Sequence, residues 1–92
     1  MNLIDLVKQI DTLDEESIIF GSSSSDINAA VIVKVSDDFE ETVVVEDGIE
    51  YHYLIELDLA KEFIDDFVAS LDHKPTDNVI AERLLSYCVN DA

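Results

Sequence analysis

The chain has 92 residues, of which 22 are Asp or Glu and only 5 are Lys or Arg, so its formal net charge is −17. Because so acidic a surface repels nucleic-acid phosphates and anionic membranes, we expect no direct binding to nucleic acid or to a membrane. A hydrophobic fraction of 48% is too high for a disordered acidic segment and predicts one acidic domain over residues 1–92.

The cellular setting is predicted from what the sequence lacks. The N-terminal residues contain no basic segment followed by an apolar run, as a secretory signal would. No apolar stretch approaches the roughly 20 residues of a membrane helix. Cys88 is the only cysteine, so no intramolecular disulfide forms. We therefore expect a reducing, cytoplasmic setting.

The N-terminal half is predicted to form a helix and two strands, at residues 2–10, 17–20 and 29–35. Asn2 is suited to cap the helix, and an acidic connection follows it at 11–16. A glycine- and serine-rich turn over 21–26 separates the two strands. The second strand is apolar on both faces, which predicts a central position in the sheet.

A β-hairpin is predicted around Asp47-Gly48, between strands at 42–46 and 49–57. The Asp-Gly pair favours a type I′ turn, which needs positive φ at both central residues. That turn places Val44 opposite Tyr51. Strict alternation along the last strand puts four side chains on one face, namely Tyr51, Tyr53, Ile55 and Leu57.

Two helices complete the chain, over 58–72 and from a cap at Thr76 or Asp77 to about Asn90. The helices are separated by the His73-Lys74-Pro75 segment, because the residue before a proline avoids the helical region. The predicted fold class is α+β, with the order α-β-β-β-β-α-α. An antiparallel sheet of three to four strands is expected to carry helices on one face.

The C-terminal half contains four short motifs, YHYLIE from Tyr51, KPT from Lys74, AERLLSY from Ala81 and NDA from Asn90. With them, the chain from about Ile18 onward resembles a group of short, acidic bacterial proteins of unknown function. The resemblance implies a bacterial origin and a small α+β fold. It implies no activity.

The acidic residues are the candidate binding groups. A net charge of −17 exceeds the magnitude of about 2–8 that solubility of a small domain asks for. Like charges four residues apart on the penultimate helix cost roughly 0.2–0.5 kcal/mol each. We therefore predict a basic protein partner, bound by Asp58, Glu62, Asp65 and Asp66, with support from Asp37, Asp38, Glu40 and Glu41.

Two modes of such binding remain open. The acids could imitate a row of phosphates, or they could block the basic active site of a nuclease, as an immunity protein or antitoxin does. The alternative is a structural or homo-oligomeric protein whose charge serves solubility alone, and whose contact is an apolar patch on the tyrosine-bearing strand.

The sequence favours neither catalysis nor a metal or other cofactor. Neither acidic run has the ligand spacing of a calcium loop, and no CxxC or HxxxH pair occurs. The serines do not form a Gly-x-Ser-x-Gly frame, and Cys88 is predicted to be a small core residue. Glu56 is expected to be exposed or to pair with a lysine such as Lys34, and Arg83 is expected to pair with Glu56 or Asp58.

Overall fold

The structure is a computed structural model, and it describes residues 1–23, 25–35 and 42–90. It confirms the α+β class and the predicted order of elements. A 3-10 turn at Ile10–Thr12 follows the first helix. The other elements are α1 (Leu3–Lys8), β1 (Ser17–Gly21), β2 (Val31–Val35), β3 (Val43–Glu46), β4 (Ile49–Glu56), α2 (Leu57–Ala69) and α3 (Asp77–Asn90).

Helix α1 begins with the predicted cap. The Asp5 backbone N–H donates to Asn2 Oδ1 at 2.9 Å, and the Asn2 backbone N–H donates to Asp5 Oδ2 at 3.3 Å. This reciprocal arrangement satisfies two backbone donors at the start of the helix. The helix is shorter than predicted, because the chain tightens into the 3-10 turn after Lys8.

All four strands are antiparallel, in the order β2-β1-β4-β3. The prediction that the apolar strand now seen as β2 is central was therefore wrong, because β2 lies at an edge. Its two faces are both apolar because Val33 packs against one hydrophobic cluster and Ile32 against another. They do not indicate neighbouring strands on both sides. At the start of β2 the Val31 N–H donates to the Met1 carbonyl at 2.8 Å, so the N-terminus covers part of this edge.

A β-bulge interrupts β4 and changes which side chains enter the core. Ile19 pairs with Ile55 but Phe20 pairs with Tyr53, so Leu54 is the extra residue. Leu54 and Ile55 consequently both belong to the main core, whereas Tyr51 does not. Strict alternation from Tyr51 to Leu57 was therefore a wrong prediction.

Glycine at position 21 makes room for this bulge. A Cβ atom there would lie 2.7 Å from Leu54 Cδ1 and 3.3 Å from Leu54 Cγ. Any larger residue would have to displace the Leu54 side chain, which is buried in the main core. The end of β1 and the bulge of β4 are thus fitted to one another.

The two faces of the sheet are both apolar. On one face, the three helices and the sheet enclose the main core, in which Leu6, Leu57 and Leu84 are fully buried. On the other face a second cluster is formed by Ile18, Phe20 and Tyr51, with Ala30, Ile32 and Val44 packed around them.

The sheet curls over this second cluster. Lys34 on β2 forms an ion pair and hydrogen bond with Glu46 on β3, and these are the two edge strands. Three strand spacings separate the edges of a four-stranded sheet, about 14 Å if it were flat. Of the two alternatives predicted for Glu56, exposure is confirmed and pairing with Lys34 is wrong, because the curl brings Glu46 to Lys34 instead.

The hairpin prediction is confirmed. Asp47 and Gly48 have φ values of 52° and 79°, and Val44 lies opposite Tyr51. At the start of α3 the Val79 N–H donates to Thr76 Oγ1 at 3.3 Å, so Thr76 is the cap. Across the described ranges, none of the helices combines the length and the apolar character needed to cross a membrane.

Substitution of Phe20 tests how much the second cluster contributes to stability. Its side chain is 0% exposed, whereas Val45 on β3 is 61% exposed. We expect Phe20→Ala to lower the free energy of unfolding by about 3–5 kcal/mol, because it leaves a large cavity. The control, Val45→Ala, should cost less than about 1 kcal/mol. Urea unfolding followed by circular dichroism measures both, and equal small losses would contradict a packed second cluster.

Candidate partner-binding site

Helix α2 separates its charged residues from its buried ones. The side chains that enter the core are those of Leu57, Ala60 and Ile64. All four predicted binding residues are exposed, namely Asp58, Glu62, Asp65 and Asp66. On an ideal helix these four lie within an arc of roughly 100°, opposite the buried residues. The structure therefore places this half of the predicted site on one solvent-facing surface.

The other half of the predicted site lies outside the described residues. It consists of Asp37, Asp38, Glu40 and Glu41, in the connection between β2 and β3. Their part in a binding surface stays a prediction.

A second group of acids, missed from the sequence, joins the first. Strand β4 runs into α2 without a loop, and Ile18 pairs with Glu56 at that junction. This pairing brings the residues before β1 next to the first turn of α2. The result is a depression of about 350 Å³ with four carboxylates in its lining, those of Glu15, Glu16, Glu56 and Asp58.

Asp58 belongs to both groups, so the acids form one continuous surface. We call this surface the acidic strip and define it as Glu15, Glu16, Glu56, Asp58, Glu62 and Asp66. The predicted binding residue Asp65 is exposed beside the strip but lines a separate depression that also contains Lys74. From Asp58 to Asp66 the strip follows α2 for about 12 Å, at 1.5 Å per residue. The run at 11–16 was seen in the sequence as an acidic connection, but only the strand register shows that its end meets α2.

Little positive charge reaches the acidic strip. Lys61 Nζ lies 3.6 Å from Glu15 Oε1, and within the described part of the chain no other strip carboxylate takes part in an ion pair. The Lys61 side chain is only 19% exposed, so most of it packs against the protein. The strip is thus a surface of exposed and mostly unneutralised carboxylates.

An apolar row runs along α2 beside the acidic strip. Leu59 is exposed, and Phe63 and Phe67 are half-buried with nearly parallel rings whose centroids are 6.2 Å apart. Tyr87 of α3 stacks on Phe63 with a centroid distance of 4.5 Å and an interplanar angle of 21°. The Phe63–Tyr87 stack joins α2 to α3, whereas the Phe63–Phe67 pair lies within α2.

Arg83 ends this aromatic row. Its guanidinium carbon lies 5.6 Å from the centroid of the Phe67 ring, which is a cation–π contact. In the described residues it forms no ion pair with Glu56 or Asp58, so the predicted pairing was wrong. The register of α2 against α3 places Arg83 beside an aromatic ring instead.

A small groove opens where the apolar row meets the acidic strip. It has a volume of about 200 Å³ and is lined by Leu59, Glu62, Phe63, Asp66 and Tyr87. Two carboxylates therefore border an apolar and aromatic floor. Among the described residues of this region, the sequence predicts only Asp58, Glu62, Asp65 and Asp66 as binding residues.

Cys88 is in an environment that suppresses its reactivity. The residue is buried in the main core, and burial raises the pKa of its thiol from 9.0 to about 11. The thiol is therefore protonated at neutral pH, whereas the thiolate is the nucleophile and the metal ligand. Burial, followed by the negative charge of Glu56, also raises the pKa of the Tyr53 hydroxyl.

Carboxylates and histidines are not gathered for metal binding where the structure describes them. Over residues 1–23, 25–35 and 42–90, no three His, Cys, Asp or Glu side chains are grouped so that they could hold a metal ion. His52 is exposed, and its Nε2 atom lies 3.9 Å from Glu50 Oε2. The acidic strip is therefore a surface charge and not a chelating cluster.

Comparison of the chain with protein-family models, curated proteins and solved structures finds no match. The resemblance of the C-terminal half to short acidic bacterial proteins stays a prediction. The features of the molecule that bear on its function are consequently the acidic strip and the groove beside it.

The raised pKa of Cys88 predicts a loss of stability in alkali. Between about pH 9 and 11 the unfolded chain releases the thiol proton while the folded chain retains it, so the free energy of unfolding falls as the pH rises. Cys88→Ala should remove this part of the pH dependence. Urea unfolding in the presence of reductant, at several pH values, measures the difference.

The raised pKa of Tyr53 also lowers the free energy of unfolding at high pH. Tyr53→Phe is therefore the appropriate control. Parallel stability profiles for the parent protein and Cys88→Ala would show that the thiol is not held in its protonated form.

Proposed function

We propose that this protein is a non-catalytic interaction module that binds a basic protein partner through the acidic strip. The observation that carries the proposal is the continuity of six carboxylates across the junction of β4 and α2, with one lysine paired among them. Acids distributed only for solubility would not need to be gathered against their mutual repulsion.

The proposal assigns the strip an electrostatic role. Complementary charge accelerates encounter with a partner, and carboxylates accept paired hydrogen bonds from arginine in a fixed geometry. Whether the partner is a nucleic-acid-binding protein or a toxic nuclease, its recognition surface must be basic. The single, protonated thiol of Cys88 suits the reducing, cytoplasmic setting that we also propose. The bacterial origin that we propose depends on the resemblance of the C-terminal half alone.

Charge reversal at two strip residues tests this function. Glu62→Lys with Asp66→Lys should weaken partner binding roughly tenfold or more at low salt, because attraction is replaced by repulsion. Glu50→Lys with Glu82→Lys is the matched control, since both residues are exposed outside the strip and the net charge changes equally. Tagged forms of the three proteins are used to capture partners from an extract of the source cells, and binding of the captured protein is then measured by calorimetry.

A true partner is retained by the parent protein and the control, lost by the strip variant, and released by about 1 M salt, where the screening length falls to roughly 3 Å. Equal capture by both variants, or retention of the same partner in high salt, would contradict the proposal.

The β3–β4 hairpin favours a second candidate, a homo-oligomeric protein whose charge keeps it soluble. Val43, Val45 and Ile49 expose 38%, 61% and 44% of their surface around this hairpin. The outer edge of β3 pairs with none of the described strands. Exposed apolar side chains on an edge strand are typical of contacts between strands of different chains.

Self-association distinguishes this second candidate. If the hairpin joins two copies, dimer formation should increase with salt, because screening relieves repulsion between molecules of charge −17. Val45→Thr keeps strand propensity but should weaken the dimer severalfold by removing apolar area. Sedimentation equilibrium measures both effects, and a monomer at every salt concentration would exclude this candidate.

A further inference from the structure

Two rows of side chains run side by side along the exposed part of α2. One row is acidic and consists of Asp58, Glu62 and Asp66. The other is apolar and consists of Leu59, Phe63 and Phe67. Members of each row are four residues apart, so they lie one above another on the helix surface. A ligand lying between the rows would meet carboxylates on one side and aromatic rings on the other.

The groove between these rows has the dimensions of a receptor for one side chain. Its volume of about 200 Å³ is below the roughly 300–1,000 Å³ of pockets that hold small molecules. Leu59, Phe63 and Tyr87 supply an apolar surface, against which the methylene groups of a long side chain can pack. Glu62 and Asp66 supply negative charge at the same groove.

The protein's own Arg83 shows what kind of group the aromatic row accepts. Its guanidinium lies over Phe67, and Phe67 stacks with Phe63. Tyr87 follows Arg83 by one helical turn on α3, and it stacks on Phe63. The position next to the internal arginine contact is therefore an aromatic pair that opens into the acid-bordered groove.

We propose that this groove receives an arginine side chain of the basic partner, an inference that rests on the proposed function. The guanidinium packs against the aromatic pair and donates hydrogen bonds to Glu62 and Asp66. Arginine fits better than lysine because its guanidinium is planar, weakly hydrated and able to bind a carboxylate with two parallel donors. Charge complementarity identifies the occupant as a cationic side chain, because the groove lies in a protein of net charge −17.

Hexa-arginine and hexa-lysine peptides, which carry equal charge, test the inference. We expect the full-length protein to bind hexa-arginine about three- to fivefold more tightly than hexa-lysine at low salt, from the additional stacking contact. Tyr87→Leu should lower this ratio about twofold, because it removes one ring on which the guanidinium packs, while leaving the affinity for hexa-lysine nearly unchanged. Calorimetry measures the affinities, and circular dichroism establishes that the variant is folded.

Leu59→Gln provides a second variant at an exposed residue, whereas Tyr87 is half-buried. Leu59 is 42% exposed, and Val79 on α3 is 40% exposed, so Val79→Gln is a matched control. Leu59→Gln should weaken hexa-arginine binding about twofold or more, because the methylene groups lose their apolar contact, while Val79→Gln should not. In an amide NMR titration of the parent protein, hexa-arginine should shift the signals of residues 59–66 and 87.

The outcomes distinguish the proposed arginine receptor in the groove from the proposed function of the acidic strip. Equal affinities of the parent protein for the two peptides, an arginine preference that is undiminished in folded Tyr87→Leu, or NMR shifts away from the groove would each overturn the arginine receptor. If both peptides bind equally and charge reversal at Glu62 and Asp66 still abolishes binding, the strip function stands without the groove. If the parent protein binds both peptides no better than the charge-reversed variant, the proposed function itself fails.

Discussion

The burial of β1 on both of its faces is the interaction on which the rest of the structure depends. All five residues of β1 are buried, and the strand pairs with β2 on one side and β4 on the other. Ile19 enters the main core beneath the helices, while Phe20 enters the cluster on the opposite face. Because one short strand contributes to two apolar clusters, a small chain gains enough burial to oppose the repulsion of its acidic exterior.

The same arrangement determines where negative charge accumulates. Pairing of Ile18 with Glu56 fixes the start of β1 against the start of α2, and this junction gathers the acids of the strip. Two of the five cations form ion pairs within the fold: Lys34 joins the two edge strands, and Lys61 packs beside Glu15. The strip and the aromatic row beside it are thus consequences of one strand register and one helix orientation.

Local signals were sufficient to predict much of this fold. The Asp47-Gly48 turn, a cap at Thr76 or Asp77 and the exposed acids of α2 each depend on neighbouring residues in the chain, and the sequence contains that information. The bulge at Leu54, the edge position of β2 and the contact of Arg83 with Phe67 depend on which distant elements meet. The residue pattern of one segment does not show which distant segments will pack against it, so these features were missed or wrongly predicted.

Cys88 provides a reporter within the helix pair that forms the groove. It is the only thiol, it is 8% exposed, and it lies one residue after Tyr87 on α3. Because the thiol is buried, its reaction with a thiol reagent should be limited by local opening around α3, so its labelling rate would report on that opening. Any molecule that clamps α2 to α3 would slow the labelling, and occupancy of the groove would then be observable without substituting any residue of the protein.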